Sequence, residues 1–495
     1  MAPKSPRPNK TLDRDLKSRV NLEQATLATR RPLVAPSIAG AFIILTGLIA
    51  SVSFGWGSES YVIIAAAAVG AYMALNIGAN DVANNVGPAV GSNALTMVGA
   101  LLIAAIFESA GALLAGGDVV GTISKGIIDP SSVNNPSVFI WVMFAALLSA
   151  ALWLNLATWI GAPVSTTHSI VGGVMGAGIA AAGFAAVNWP TMAKIAASWV
   201  ISPVLGGIVA ALFLWFIKSV VSNKQDKLAA ARRWVPILIA IMAGAFSTYL
   251  AIKGIKKIIK IDMQTALMIG ATASAISYLI TRPLIARQSS GKANSKETVR
   301  GLFKFPLVCA AALLSFAHGA NDVANAVGPL AAIVHTAEAA EVASKVSIPL
   351  WVMVIGALGI SFGLILFGPK LIRMVGEQIT KLNPLRAYCV ALSAAITVIV
   401  ASWLGLPVSS THIAVGAIFG VGFFREAHWR FTTPDVKVEK VLATEVQKQA
   451  SSKRKHRKLV RRSHFLTIIA AWVITVPAAA LLSAGIFLVL NGFTN

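Results

Sequence analysis

Charged residues are scarce in this chain of 495 residues: only 12% are Asp, Glu, Lys or Arg, whereas 56% are hydrophobic. A soluble globular protein carries about 25% charged residues, so this composition excludes a soluble fold and predicts a membrane protein. Cysteine is also nearly absent, since Cys309 and Cys389 are the only two and both lie within apolar runs. Two such cysteines argue against a disulfide framework and against a cysteine metal site.

The charge that is present is mostly positive and is confined to a few connecting segments. The net charge is +23, and most Lys and Arg residues, 31 of 42, fall within residues 1–36, 218–233, 282–304 and 425–462. Apolar runs separate these segments, so they form no continuous basic face with interleaved aromatic residues, and nucleic acid is not an expected partner. The distribution instead indicates membrane topology, because cytoplasmic loops collect Lys and Arg.

Long apolar runs dominate the chain between residues 38 and 490. A helix needs about 20 residues to cross a hydrocarbon core of ~30 Å, and about eleven runs reach that length. Two more runs, residues 171–187 and 414–424, are shorter and rich in glycine. Backbone amides and carbonyls in lipid must be satisfied within the segment, so the spans must be helical. The predicted fold class is an all-α polytopic membrane protein.

Two polar motifs each occur twice, which indicates two copies of one unit. GANDVANNVGP begins at Gly78 and GANDVANAVGP begins 241 residues later, at Gly319. APVSTTH ends at His168 and LPVSSTH ends 244 residues later, at His412. The nearly constant displacement predicts that the two copies fold alike.

The predicted organisation is a basic cytoplasmic extension (1–37), an extra transmembrane helix (38–56), a first repeat (61–218), connecting helices and basic loops (219–304), and a second repeat (305–495) with an inserted basic loop (425–463). With the N-terminus in the cytoplasm, the positive-inside rule makes the first motif helix run inward and the second outward. Such an inverted-topology repeat is typical of secondary transporters, whose sites lie near the membrane midplane. One loop departs from the rule, because residues 253–260 hold four Lys residues on the predicted outer side.

Asp81 and Asp322 stand within otherwise apolar runs, where an ionised carboxylate costs about 2.5 kcal/mol or more. Each therefore needs a partner, a water-filled cavity or a proton. Carboxylate and amide oxygens suit a hard cation such as sodium, and a carboxylate alone can carry a proton. The predicted residues for the coupling cation are Asn80, Asp81, Asn84, Asn321, Asp322 and Asn325. The alternative is that they join helices by hydrogen bonds, but their presence in both copies favours the ion site.

The two Pro-Val-Ser turns predict two re-entrant or broken helical hairpins. Pro163 and Pro407 end the incoming helix, and Ser165 and Ser409 are the expected N-caps of the outgoing one. A helix N-terminus has unpaired amides and partial positive charge, so it can hold an anion without Lys or Arg. The hydroxyls that suit a small tetrahedral oxyanion belong to Ser165, Thr166, Thr167, Ser409, Ser410 and Thr411. The alternative is ordinary capping of a re-entrant turn.

Four further residues are candidates for accessory roles. His168 and His412 can relay protons or donate to the anion, although a lone histidine at a helix start is more often structural. Glu108 lies midway along a span and needs a partner, a proton or a cation, and the second copy has no acid in the corresponding helix. His318 stands where the first copy has Ile77, and we rank it below the others.

The doubled GANDVAN(N/A)VGP and PVS(S/T)TH motifs, in this order, resemble the inorganic phosphate transporter family known as PiT, the low-affinity phosphate permeases. The resemblance covers about residues 61–495. It implies an inverted-repeat transporter that moves phosphate with sodium or protons, without a cofactor and commonly as a homodimer. It also implies that the Asn and Asp residues above bind the cations and that the hydroxyls above bind phosphate.

Three features depart from the family pattern. The helix at residues 38–56 precedes the usual start, which changes the helix count but not the site. The first motif reads NNVGP, so that Asn85 stands where alanine is usual and bears on that cation site. His318 differs from its counterpart in the first copy and bears on proton coupling.

The expected function is secondary active transport of inorganic phosphate, coupled to sodium or protons by alternating access. The expected location is the plasma (inner) membrane, with many spans among lipid and a cytoplasmic N-terminus. Cation binding would neutralise the aspartates and favour anion binding, which couples the two. A sulfate permease of the same fold is an alternative, although Asp81 or Asp322 can accept a hydrogen bond that only protonated phosphate offers. An intramembrane metal-dependent hydrolase is a second alternative, but the chain has no HExxH or comparable ligand unit, so we do not expect an enzyme.

Overall fold

The computed structural model describes residues 33–494 except 56–57, 130–131, 134, 163, 255–260, 340, 343–347, 379–381 and 433–461. Most of the predicted N-terminal extension and of the inserted basic loop lies outside the described residues. The described chain is helical and contains no strand beyond an isolated bridge between Ile128 and Val187. The prediction of an all-α protein is confirmed.

The helices up to the end of the first repeat are α1 (Leu33–Phe54), α2 (Ser58–Asn80), α3 (Ala83–Gly91), α4 (Met97–Ala115), α5 (Gly117–Gly121), α6 (Pro136–Ile160), α7 (Thr166–Ala182) and α8 (Trp189–Ile217). The connecting helices are α9 (Lys227–Lys253), α10 (Met263–Ser289) and α11 (Lys296–Leu302). The second repeat contains α12 (Lys304–Asp322), α13 (Ala324–Ala339), α14 (Leu350–Gln378), α15 (Pro384–Trp403), α16 (Ser410–Thr432) and α17 (Arg462–Thr494).

Eleven helical segments of the described chain are long and apolar enough to cross a membrane, as the sequence predicts. The two runs that carry the GANDVAN motifs are not continuous helices, because each is broken within the polar motif. The first breaks after Asn80 and resumes at Ala83, and the second breaks between Asp322 and Ala324. The amide of Asn84 bonds the carbonyl of Asp81 three residues back, so the helix tightens at the aspartate and not at the later Gly-Pro pair.

The two repeats pack reciprocally about a pseudo-two-fold axis. Helix α2 packs against α14 while α12 packs against α4, and the final helix of each repeat packs on the hairpin of the other, α17 on α7 and α8 on α16. Equivalent glycines make these contacts close. The Cα of Gly176 faces the backbone of Ala480, and that of Gly420 faces the backbone of Gly207, with no room for a side chain. Small residues at such crossings are how membrane helices approach each other.

The repeats are inverted because an odd number of crossings separates their starting points. Helices α6 and α7 pack together as a hairpin and return the chain to the side from which it entered. From the start of α2 to the start of α12, and apart from the α6–α7 hairpin, the candidate membrane spans are α2 with α3, α4, α8, α9 and α10, which are five crossings. Helices α12 and α13 therefore run opposite to α2 and α3, as the charge pattern predicts.

Lys253 belongs to the loop that departs from the positive-inside rule. Its Nζ lies 2.7 Å from Oδ2 of Asp118, which follows α4 at the same membrane side. The ion pair offsets part of the positive charge there. Lys256, Lys257 and Lys260 lie outside the described residues.

The helix crossing at Gly176 makes a prediction about stability. Gly176→Ala places a methyl group against the backbone of Ala480 in α17, and overpacking of this kind costs about 1–3 kcal/mol. We expect a lower midpoint of thermal unfolding for the detergent-purified variant. The midpoint is measured by size-exclusion chromatography of samples heated to increasing temperatures. Gly485→Ala is the matched control. Gly485 lies on α17, the helix that Gly176 contacts, and an added Cβ there meets open space. Equal midpoints for the two variants would contradict the proposed crossing.

Candidate functional site

Asp81 and Asp322 meet the tips of the hairpins in the middle of the molecule. Oδ2 of Asp81 accepts a hydrogen bond from Oγ1 of Thr166 at 2.7 Å, and Oδ1 accepts one from Oγ1 of Thr411 at 3.1 Å. Oγ1 of Thr166 also lies 3.1 Å from Oδ2 of Asp322. A hydroxyl has one proton, so Thr166 can donate to only one of the two carboxylates at a time. All four side chains are fully buried.

The second asparagine of each motif reaches the hairpin of the opposite repeat. Nδ2 of Asn84 donates to Thr411 at 2.8 Å, while Nδ2 of Asn325 lies 3.2 Å from the hydroxyl of Thr166 and 3.3 Å from that of Thr167. Each motif helix is therefore hydrogen-bonded to the hairpin of the other copy.

The first asparagine of each motif instead holds the turn of its own hairpin. Both ends of its amide are used, since the nitrogen donates to a hydroxyl of the incoming helix and the oxygen accepts from a backbone amide of the turn. The contacts are Asn80 with Thr158 (3.0 Å) and Val164 (3.3 Å), and Asn321 with Ser402 (2.8 Å) and Val408 (3.3 Å). These two residues position the turns and have little capacity left for a ligand.

The predicted N-caps form as expected. Ser165 accepts from the amide of His168 at 3.1 Å, and Ser409 accepts from the amide of His412 at 3.3 Å. Pro163, predicted to end the first incoming helix, lies outside the described residues. The hydroxyl of Ser410 is buried and has no hydrogen-bond partner among the described residues. It is therefore available to a ligand at the start of α16.

Oxygen acceptors without a partner lie on the second motif helix. Oδ1 of Asp322 and Oδ1 of Asn325 are both buried and have no hydrogen-bond donor in the described part of the chain. Buried polar atoms in native proteins are nearly always paired with protein, water or a ligand. One carboxylate oxygen and one amide oxygen of this kind are the ligand type of a hard cation.

His318 lies between two carboxylates, a position that its low rank in the sequence analysis did not anticipate. Its Nε2 is 3.0 Å from Oδ2 of Asp322, and its Nδ1 is 2.6 Å from Oε2 of Glu108. Oε1 of Glu108 accepts a hydrogen bond from Nδ2 of Asn85 at 2.7 Å. One available signal was the four-residue spacing of His318 and Asp322, which places both on one helix face. The partner on α4 lies 210 residues away, beyond any local pattern.

The chain Asn85–Glu108–His318 is present in only one half of the pseudo-symmetric site. Gly319 packs on the backbone of Glu108, just as Gly78 packs on the backbone of Ile360, so Glu108 and Ile360 occupy equivalent positions. The other equivalent pairs are His318 with Ile77 and Asn85 with Ala326. Three polar residues on one side thus replace three apolar residues on the other, which makes the two aspartates chemically different.

The two histidines of the hairpin motifs contact each other at the pseudo-two-fold axis. The rings of His168 and His412 are 4.5 Å apart and nearly perpendicular, and His168 also lies 3.8 Å from the ring of Trp199. Both are buried. Their position joins the two hairpin tips and is consistent with the structural role that is more usual for histidine at a helix start.

The site is rich in acidic groups. Three buried carboxylates, those of Asp81, Glu108 and Asp322, lie close to one imidazole, and the described residues place no Lys or Arg in an ion pair with them. Atoms of Asp81, His318 and Asp322 that can bind a metal lie within 4.8 Å of one another. An anion can enter such a site only if cations or protons offset the charge of these carboxylates.

Comparison with known proteins gives consistent matches over most of the chain. A model of the phosphate transporter family matches residues 77–483. A Helicobacter pylori (strain J99) protein named as a phosphate permease is 45% identical, over 95% of this chain and 97% of its own. A Pyrococcus abyssi protein, also named as a phosphate permease, is 38% identical, over 85% of this chain and 96% of its own. The solved structure of a sodium-dependent phosphate transporter matches with a TM-score of 0.76 and 35% identity, over 87% of this chain and 99% of that chain.

These matches bear out the resemblance that the doubled motifs indicate. The family and these relatives are transporters and not enzymes, which removes the hydrolase alternative. Helices that can span a membrane, reciprocal inverted repeats and a buried acidic centre agree with that assignment. The chain is therefore a multi-pass membrane protein that belongs to the phosphate transporter family.

Proposed function

We propose that this protein is a secondary active transporter that carries inorganic phosphate together with sodium ions by alternating access. The observation that carries the proposal is the pair of hydroxyls, Thr166 from the first hairpin and Thr411 from the second, that bind the carboxylate of Asp81 from two sides. The sodium-dependent transporter of similar structure supports both the anion and the cation.

Phosphate binds between the starts of α7 and α16. The first amides of a helix have no intrahelical acceptor, and the helix dipole adds partial positive charge, so two such ends can grip one oxyanion without Lys or Arg. The hydroxyls of Thr166, Ser410 and Thr411 add donors, whereas those of Ser165 and Ser409 already serve as caps. In this conformation the threonines donate to Asp81, so phosphate must displace that carboxylate as their acceptor.

Sodium binds to the aspartates and to the second asparagine of each motif. The unpaired oxygens of Asp322 and Asn325 support one position. The second position is at Asp81 and Asn84, the equivalent residues of the first motif. A cation there takes over the acceptors that now hold the threonine hydroxyls, which frees those hydroxyls for phosphate. Each ligand thus favours binding of the other, and this mutual dependence is what couples transport.

The burial of the site supports alternating access. The side chains of Asp81, Thr166, Asp322 and Thr411 have no exposure, so the structure is occluded and must open on one side at a time for phosphate to pass. The hairpins are held to the motif helices by Asn80 and Asn321 and therefore move with them.

Proton coupling is the second candidate, and one observation favours it. Glu108, His318 and Asp322 form a continuous row of titratable groups that leads to the site, with gaps of 2.6 and 3.0 Å. Such rows of acid and histidine serve as proton relays in membrane proteins. Phosphate uptake driven by a pH gradient without sodium would select this candidate.

The location and assembly remain predictions from the sequence. We propose an inner or plasma membrane location with the N-terminus in the cytoplasm, according to the basic segments. Membrane lipids surround the protein, and a homodimer is expected from the family resemblance. Crosslinking of the protein in native membranes tests the dimer.

The direct test is uptake of radiolabelled phosphate into proteoliposomes, with a sodium gradient and a pH gradient imposed separately. We expect accumulation with sodium directed inward and little competition from sulfate. Full competition by sulfate without phosphate accumulation would replace phosphate by sulfate as the substrate. Uptake that does not exceed equilibrium under either gradient would refute secondary active transport.

Removal of charge from the first motif is expected to abolish coupling. Asp81→Asn keeps the size of the side chain but removes its negative charge and one of its two acceptor oxygens, so one threonine hydroxyl loses its acceptor and the other loses a charged one; hydrogen bonds to charged groups contribute about 1.5–3 kcal/mol each. Sodium-driven uptake should therefore fall at least tenfold. Asp262→Asn is the control, since Asp262 is exposed at the N-cap of α10 and loses the same charge. If Asp81→Asn transports like Asp262→Asn, the aspartate is not a coupling residue.

The polar chain at Glu108 makes a further prediction, based on a double-mutant cycle. His318→Ile leaves buried carboxylates without their partner, and breaking a buried pair costs about 3–5 kcal/mol, so stability and uptake should both fall. The double variant Glu108→Ile with His318→Ile reproduces the apolar pair found in the other half. We expect it to recover stability relative to His318→Ile, measured as the midpoint of thermal unfolding. Additive effects of the two substitutions would show that the residues act independently.

A further inference from the structure

Five cationic side chains converge on a cavity of about 320 Å³ near the end of α8. We call it the basic pocket, and its cations are Lys218, Lys227, Lys296, Arg300 and Arg386. They come from four parts of the chain: the turn after α8 and the helices α9, α11 and α15. Asn383 also lines the pocket, whereas no Asp or Glu does. All these segments lie at the membrane side to which the positive-inside rule assigns the cytoplasm.

The cations of the basic pocket are not offset by neighbouring acids. Within the described residues, none of the five lies within 4.0 Å of a carboxylate. The acids nearest to these cations in sequence either have other partners or are exposed. Asp226 caps α9 and Glu426 interacts with Arg425, while Glu297 is exposed.

The like charges also act on one another. Arg386 is within electrostatic reach of Arg300 and Arg425, and Lys218 is within reach of Arg386 and Lys296. Of these groups only Lys296 is exposed, whereas Lys218, Arg300, Arg386 and Arg425 are partly exposed, so solvent screens them incompletely. The arrangement is unfavourable unless an anion is bound between them.

Membrane topology alone does not account for this arrangement. Topology requires only that positive residues lie in the cytoplasmic loops, and solvated side chains such as those of Arg233 and Arg282 satisfy it. It does not require cations from four segments to face one concave space. Convergence, partial burial and the missing acids together indicate a ligand.

We propose that the basic pocket binds a phosphate-bearing polyanion, that is, a di- or triphosphate group or the headgroup of an anionic phospholipid. Arginine presents paired donors that match phosphate oxygens, and lysine adds point charges. The cavity lies at the small end of the range for small-molecule sites, about 300–1,000 Å³, which exceeds a single phosphate. Five positive charges favour a ligand with more than one negative charge.

The basic pocket is separate from the transport site and does not depend on the proposed function. Arg386 is in the first turn of α15, whereas Ser402, which contacts Asn321, is in the last turn. With a rise of 1.5 Å per residue, the two ends are about 24 Å apart. The pocket and the transport site are nevertheless joined by one rigid helix, the incoming arm of the second hairpin.

The test uses the full-length protein purified in a nonionic detergent. Tripolyphosphate, titrated by calorimetry, probes a soluble ligand. Short-chain phosphatidylglycerol, compared with short-chain phosphatidylcholine in a thermal unfolding assay, probes a lipid headgroup. We expect saturable binding of tripolyphosphate, or stabilisation by the anionic lipid alone, and each result supports the site while identifying its source.

The variants assign that binding to the pocket. Arg300→Gln with Arg386→Gln should weaken binding at least tenfold, while Arg233→Gln with Arg282→Gln removes the same charge from exposed positions and should change it less than twofold. Should the first variant not elute as a folded protein, Arg386→Lys keeps the charge, loses the paired donors and should weaken binding severalfold. Phosphate uptake by the folded variants reports on the transport site separately. The proposal is overturned if tripolyphosphate shows no saturable binding and the anionic lipid gives no stabilisation beyond that of phosphatidylcholine. Equal loss of binding in both double variants also overturns it.

Discussion

The contact on which the rest of the structure depends is that between the carboxylate of Asp81 and the hydroxyls of the two hairpins. A buried acceptor in a membrane has no water to pair with, so its donors must come from the protein. Thr166 and Thr411 provide them, each at the start of a helix that ends inside the molecule. The same hydroxyls are the natural donors for an oxyanion, and the same carboxylate is a natural ligand for a cation. Either of the two ligands that we propose would therefore change the contact that holds the centre together.

The packing around this contact leaves the hairpins tied to both repeats. Each hairpin is crossed at close range by the last helix of the other copy, because glycines such as Gly176 and Gly420 let the backbones touch. Each turn is also fixed to its own motif helix, by Asn80 in one copy and Asn321 in the other. Tightly packed interfaces of this kind shift between discrete arrangements and do not deform gradually. That property fits the alternating access that we propose.

The departure from symmetry is as informative as the symmetry itself. Among the described residues, Asp81 accepts hydrogen bonds from neutral hydroxyls, whereas Asp322 faces an imidazole that bridges to Glu108. In the other half the equivalent side chains are isoleucines. Three coordinated replacements are needed for this difference, since an acid in the membrane needs a partner and the partner needs room. The two halves of the site therefore offer different environments to the cations that we propose to bind there.

The sequence by itself determined the spans, the repeats, the inverted orientation and the N-caps, because hydrophobic length, loop charge and capping are local properties. It also named Asp81, Asp322 and the hairpin hydroxyls, which the fold brings together. Only the tertiary structure decided that Asn80 and Asn321 hold turns, that His318 bridges two carboxylates, and that cations from four segments share a pocket. These are contacts between residues far apart in the chain, and no local spacing encodes them. Helix packing determines which side chains are in contact, so these contacts are known only from the assembled helices.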